Sequence, residues 1–175
     1  MLERNGFEAR PNEPWHHMNV RDLDGLDVPT LPDGYRFVTM QDVGDVEAFV
    51  SGHRRAWESE DLTVEKYEVV MSMSPYRSDL DVAVQAADGT LVSRAIAWLD
   101  ERNAVAELEP VGTDPLFRRH GLGAACNLFA MSQARAAGAT AMMVGCRGDE
   151  NYPVPRRLYQ SVGFEAISRD MAYRK

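Results

Sequence analysis

The sequence predicts an α/β domain in which a mostly antiparallel sheet carries helices on both faces, and three observations lead there. Tyr35-Arg36-Phe37-Val38-Thr39-Met40 alternates large apolar with polar residues, the period of a half-buried strand. Two apolar runs, Leu80 to Ala87 and Leu91 to Leu99, are parted by Asp88-Gly89-Thr90, and Asp-Gly between such runs is a strong hairpin signal. Between and beyond these runs, apolar residues recur at helical spacing.

Taken in order, residues 1–33 read as an N-terminal arm. Pro11, Pro14, Pro29 and Pro32 and the run Asp22 to Asp27 argue against a continuous helix, and short strands fit near Phe7 and from Trp15 to Val20. The domain then runs from 34 to 175. After the strand at Tyr35, Asp42 is expected to cap a helix carrying Val43, Val46, Phe49 or Val50, and Trp57. A second short helix fits Thr63 to Met73 and ends at Ser74-Pro75. The hairpin follows, and Asn103 opens a third strand through Val105, Leu108 and Val111. A helix from about Gly121 places Leu122, Ala125 or Cys126, Phe129, Gln133 and Ala136 on one face, with Gly138 beyond its end. Ala141 to Cys146 is a strand, a helix after Pro153 and Pro155 reaches Ser161, and Phe164 to Tyr173 is a last strand.

At 175 residues the chain suits one core, and the net charge of −8 argues against a general nucleic-acid binder while leaving room for an anionic small ligand. Two cysteines, Cys126 and Cys146, are too few for a secreted disulfide scaffold, and both fit core packing. With no long apolar run at the start or elsewhere, a cytoplasmic protein off the membrane is expected. His16, His17 and His53 lack metal-ligand spacing, and no Cys-x-x-Cys occurs, so no metal is expected.

The informative block runs from Glu107 to Ala124: a strand that stops at Gly112-Thr113-Asp114-Pro115, then Arg118-Arg119-His120-Gly121-Leu122-Gly123, then a helix. A helix start leaves backbone N–H groups without partners and carries partial positive charge. Gly121 and Gly123 let a bulky anion approach that backbone, and Arg118 and Arg119 add charge suited to phosphate. The chain lacks the Gly-Lys-Ser/Thr of a Walker loop, and Cys126 stands where a dinucleotide fingerprint needs a third small residue. The third pattern, Arg/Gln-x-x-Gly-x-Gly/Ala, is met by Arg118, Gly121 and Gly123.

On these residues, and on Leu158-Tyr159-Gln160-Ser161-Val162-Gly163-Phe164 after them, the sequence resembles the GNAT superfamily of N-acetyltransferases, including mycothiol synthase-like tandem members whose carboxy-terminal half it would match. The resemblance implies the GNAT fold, with the sheet splayed at the cofactor site, and acetyl-CoA as cosubstrate. Backbone groups of Val111 and Thr113 would pair with the pantetheine arm, helped by Gly112 and Pro110 as disruptors of strand pairing. Backbone N–H groups from Arg119 through His120, Gly121, Leu122 and Gly123 to Ala124 would hold the pyrophosphate. Tyr159 would be the general acid at the thiolate, since a phenol of reference pKa near ~10 is protonated at neutral pH. Glu107, Glu109 and Val111 alternate onto one strand face, so either carboxylate is a candidate base for the attacking amine. Family members often carry an Asn seven residues before the Tyr; here Tyr152 stands there, Asn151 is one position earlier, and Pro155 replaces a small residue.

The expected reaction is transfer of acetyl from acetyl-CoA to a primary amine, on a small molecule or peptide, by direct attack in a ternary complex; a catalytically silent CoA-binding or scaffold module of the same fold is the alternative. Trp57, Trp98 and Tyr76 are candidates to line the acceptor pocket. Finally, Gly6-Phe7-Glu8-Ala9 recurs as Gly163-Phe164-Glu165-Ala166. The arm therefore echoes the end of a domain like the one that follows it, as in a tandem protein, or serves to add a strand to a partner's sheet in a homodimer.

Overall fold

The computed structural model describes residues 1–175 other than Asn12, Pro14, Asp149 and Glu150; Pro14, named among the arm's prolines, lies outside the described residues. Beyond a 3₁₀ turn at Glu3–Asn5, the elements in order are β1 (Glu8–Ala9), β2 (His16–Asp22), β3 (Tyr35–Thr39), α1 (Met40–Val43), α2 (Val46–Trp57), α3 (Val64–Met71), β4 (Asp81–Ala86), β5 (Leu91–Asp100), β6 (Val105–Thr113), α4 (Leu122–Ala136), β7 (Ala141–Arg147), α5 (Val154–Ser161), β8 (Glu165–Arg169) and β9 (Tyr173–Arg174). They form two compact units, Met1–Arg21 with Met143–Lys175, and Asp22–Met142. No helix among the described residues is long and apolar enough to cross a membrane.

In the unit of residues 22–142, strands β3, β4, β5 and β6 lie in sequence order, each antiparallel to the next. β5 is buried along nearly its whole length, which is why its sequence reads as a continuous apolar run and not an alternating one. One face packs Val38, Ala83 and Ile96 against Phe49 and Val50 of α2 and Tyr67 of α3. On the other face Phe129 of α4 stacks on Phe37 at 4.5 Å.

Two helix expectations are corrected here. Asp42 does not cap the long helix; it closes a capping box with Thr39 at the head of the one-turn α1, and after Gly44, with φ 64°, Asp45 caps α2 through the Ala48 N–H. A glycine in the left-handed region ends α1 and forces the second start. In α4 the buried residues are Leu122, Ala125, Cys126, Asn127, Ala130, Met131 and Ala134, whereas Gln133 is half-buried and Ala136 exposed. The small residues at 126, 130 and 134 repeat every fourth position and set the helix close on the sheet, turning 133 and 136 outward.

In the other unit β2 lies between β7 and β8. It is antiparallel to β8, with His17 opposite Arg169 and Val20 opposite Glu165, and β1 pairs with β9. The arm's main strand is thus paired within its own chain. Asn19 in β2, 2% exposed, donates to the Val144 carbonyl of β7 at 3.1 Å, so this polar residue is satisfied by the strand beside it. The expected last strand is broken, β8 ending at Arg169 and β9 resuming at Tyr173. The four-residue repeat has a shared local structure: Gly6 (φ 79°) and Gly163 (φ 84°) each follow a helical turn in the left-handed conformation and lead into a strand, β1 and β8.

Candidate active site

The turn at Gly121 lies within the unit of residues 22–142. β6 ends at Thr113, and Asp114 caps a 3₁₀ turn, Pro115–Phe117, by accepting from the Leu116 N–H at 2.9 Å. Arg119 (φ 66°) and Gly121 (φ 76°) both lie in the left-handed region and reverse the chain sharply into α4. For a non-glycine residue that conformation is uncommon and concentrates at functional turns. Helix α4 starts on Gly121 with no side-chain cap, and its first bond runs from the Ala125 N–H to the Gly121 carbonyl at 3.0 Å. The amides of Leu122, Gly123 and Ala124 precede that bond, so a row of donors at the positive end of a fifteen-residue helix is left for an anion. One turn in, the fully buried Asn127 donates to the Gly123 carbonyl at 2.7 Å, anchoring the second glycine. Arg119, His120 and Gly121 are exposed, so their side chains and backbone border open solvent.

The strand leading to this turn is irregular. Ala97 of β5 pairs with Leu108, but Ala95 pairs with Val111, so β6 carries one extra residue at Glu109-Pro110. Glu109-Pro110 is a cis peptide. The bulge overturns the expected face: Leu108 and Val111 share one side, while Glu107, opposite Trp98, shares the other with Gly112, opposite Arg94. Simple alternation over Glu107, Glu109 and Val111 fails because a bulge shifts the period by one residue. Glu109 sits in the bulge. Partial desolvation first, and the Glu107 charge second, raise its carboxyl above the ordinary glutamate range, so the two carboxylates sense one another.

Gly112 has a use that the sequence did not disclose. A Cβ there would come within 2.4 Å of the Trp57 indole, so the glycine is the seat for that ring. Trp57 in turn stacks on His53, centroids 4.2 Å apart and planes 11° apart. Burial, and then the Arg94 charge, pull the His53 imidazole down to about 4, leaving it neutral at physiological pH. Behind them lies a charged core: Arg94, 1% exposed, donates to Asp81 at 3.0 Å, to the Tyr67 hydroxyl at 2.5 Å and to the Phe49 carbonyl at 2.9 Å. Tyr76 also donates to Asp81, at 2.9 Å, and its ring meets Trp98 edge-on at 6.2 Å. Spacing alone could not have exposed this network, because its members come from α2, α3, the loop after α3 and two strands.

Tyr159 belongs to the other unit, on α5, where it is 7% exposed and its ring meets Phe164 edge-on at 5.7 Å. Cys126 is buried with its thiol pushed up to about 12 by desolvation, a packing role and not a nucleophile's. Arg118, expected at the phosphates, donates instead from Nε to the Thr113 carbonyl at 3.0 Å and from Nη2 to the Ala56 carbonyl at 3.2 Å.

Comparison with known proteins agrees with this geometry. Residues 46–164 match the acetyltransferase (GNAT) family. A mycothiol acetyltransferase of Thermobispora bispora is 29% identical over 164 residues, 86% of this chain and 53% of that protein. One of Thermomonospora curvata is 27% identical over 154 residues, 82% of this chain and 48% of that protein, so the chain spans about half the length of these curated relatives. Among solved structures, a GCN5-related N-acetyltransferase from Sphaerobacter thermophilus superposes with a TM-score of 0.80 at 18% identity, over 99% of this chain and 54% of that one. A tandem GNAT protein from the clavulanic acid biosynthesis pathway gives 0.73 at 17% identity, over 98% of this chain and 56% of that one. With a family match over more than half its length, on a fold with a bulged strand running into an uncapped, glycine-led helix, this chain belongs to the GNAT acetyltransferase family.

Proposed function

We propose that the protein transfers acetyl from acetyl-CoA to a primary amine, by direct attack in a ternary complex. The observation that carries this reading is the uncapped start of α4 directly after a bulged strand. The residues present fit the cofactor: backbone N–H groups from Arg119 to Ala124 would hold the diphosphate, the Arg119 and His120 side chains would border it, and Val111 and Thr113 would offer backbone to the pantetheine arm. When bound, acetyl-CoA supplies an activated thioester. The amine nitrogen would attack its carbonyl carbon, the C–S bond would break, the new amide nitrogen would release its extra proton to base or water, and the departing thiolate would take a proton.

Tyr159 is the donor of that proton on the strength of its place in the Leu-Tyr-x-x-x-Gly-Phe signature. The attacking ammonium must lose its proton first. Glu109, with Glu107 beside it, is the better-tuned base, because a raised carboxyl pKa lies closer to neutrality. The net charge of −8 favours a cationic acceptor, and the relatives named mycothiol acetyltransferase favour a small amine over a protein lysine.

Release of free thiol from acetyl-CoA across a panel of small amines tests the reading. Turnover with at least one amine, lowered at least tenfold by Tyr159→Phe, is expected. Binding of acetyl-CoA without turnover on any amine would leave only a silent cofactor-binding module.

A further inference from the structure

We infer that Arg118 is a positioning residue, which splices the end of β6 to the last turn of α2, and not a ligand of the diphosphate; the inference rests on the cofactor reading above. Three consecutive residues of α2 grip the segment that leads into the cradle. Arg55 Nε forms an ion pair with the Asp114 carboxylate at 3.2 Å, and Asp114 is 3% exposed. The Ala56 carbonyl accepts from Arg118 Nη2 at 3.2 Å. The Trp57 indole occupies the space over Gly112 where any side chain would clash.

The physical reason for an arginine at 118 follows. The last carbonyls of a helix lack intrahelical donors and sit at its negative end. Glu58 caps α2 in the left-handed conformation and serves the carbonyls of Arg54 and Arg55, which leaves that of Ala56 to another donor. The planar fork of a guanidinium reaches two carbonyls at once, those of Ala56 and Thr113, and a lysine ammonium has no such fixed geometry. With Nε and Nη2 aimed at these carbonyls, Arg118 holds Thr113, which with Val111 makes the backbone edge offered to pantetheine. The Ser93 hydroxyl donates to the Gly112 carbonyl at 3.2 Å, so successive carbonyls at the end of β6 are fixed by side chains.

The two roles separate with a truncated thioester. Acetyl-pantetheine carries the arm but no diphosphate. For the full chain, Arg118→Ala is expected to lower kcat/KM roughly tenfold with acetyl-CoA and by a similar factor with acetyl-pantetheine. Arg118→Lys, which keeps the charge, is expected not to restore it. Calorimetry with CoA supplies a readout independent of turnover: Arg118→Ala should weaken binding while leaving the slope of log Kd against log salt as in the wild type. A loss confined to acetyl-CoA, recovery by Arg118→Lys, a flattened salt slope, or no loss with either thioester would overturn the inference. A wild-type chain that binds neither CoA nor acetyl-pantetheine would instead remove the cofactor reading beneath it. Should Arg118→Ala not fold, Arg118→Gln, which retains one donor, carries the same comparison.

Discussion

Trp98 donates its indole N–H to the backbone carbonyl of Glu109 at 2.5 Å, across the bulge that interrupts β5–β6 pairing. A bulge leaves ladder groups without partners, and here a side chain from the neighbouring strand takes one of them up. Trp98 is itself braced by Tyr76, which is tied to Asp81 and through it to Arg94. The irregularity that orients Glu109 is therefore anchored in the buried core.

Trp98→Phe keeps the ring and removes the donor. A neutral hydrogen bond contributes about 0.5–1.5 kcal/mol, and the denaturation midpoint should fall by a corresponding amount. The larger effect is expected on acetyl transfer, with kcat/KM falling more than stability accounts for, because Glu109 loses its fixed backbone. A variant with wild-type kinetics and a lowered midpoint would make the bond purely structural.

Gly112→Ala places a methyl group 2.4 Å from the Trp57 ring, closer than real contacts allow. Overpacking of this kind costs about 1–3 kcal/mol. Trp57→Leu in the same chain opens the space, so the double variant should recover part of the loss of thermal stability seen with Gly112→Ala alone. Additive losses would mean that the indole is not what the glycine accommodates.

How much of this was legible in the sequence depended on whether its signal was local. The hairpin at Asp88-Gly89, the start of α3 at Thr63 and the glycine turn before α4 are local, and each stands where the residues place it. The face of Glu107 was not legible, since one inserted residue at Glu109-Pro110 reverses all that follows and alternation gives no warning of it. Arg118 shows the limit of a motif: charge beside a phosphate turn suggests a ligand, while its partners in the structure are carbonyls that lie far away in sequence at Ala56 and close by at Thr113. Gly112 read as a breaker of pairing because Trp57, the ring it accommodates, lies on another element.

The Arg94–Asp81 pair invites a double-mutant cycle. Side chains 1% and 0% exposed hold opposite charges at 3.0 Å, each with further hydrogen bonds. Removing one partner leaves a buried charge uncompensated, and Arg94→Met or Asp81→Leu alone should cost about 3–5 kcal/mol. The double variant should cost less than either single change, since no lone charge remains. Costs that simply add in urea denaturation would show the two groups to be uncoupled.

The acid limb of the pH–rate profile discriminates between the two carboxylates. Desolvation and the Glu107 charge hold the Glu109 proton to a higher pH than an exposed glutamate would. If Glu109 is the base, kcat/KM rises as pH climbs through that raised pKa. Glu107→Gln removes the like charge, so the limb should move to lower pH, with part of the displacement remaining because desolvation persists. The stability consequence has a fixed sign. A carboxyl whose folded pKa is raised contributes stability below its unfolded pKa and loses it as pH rises through the folded value. Glu109→Gln should therefore resist denaturation better than wild type near neutrality, with the advantage fading in acid, while its activity falls. A limb abolished by Glu107→Gln and retained in Glu109→Gln would transfer the role of base to Glu107.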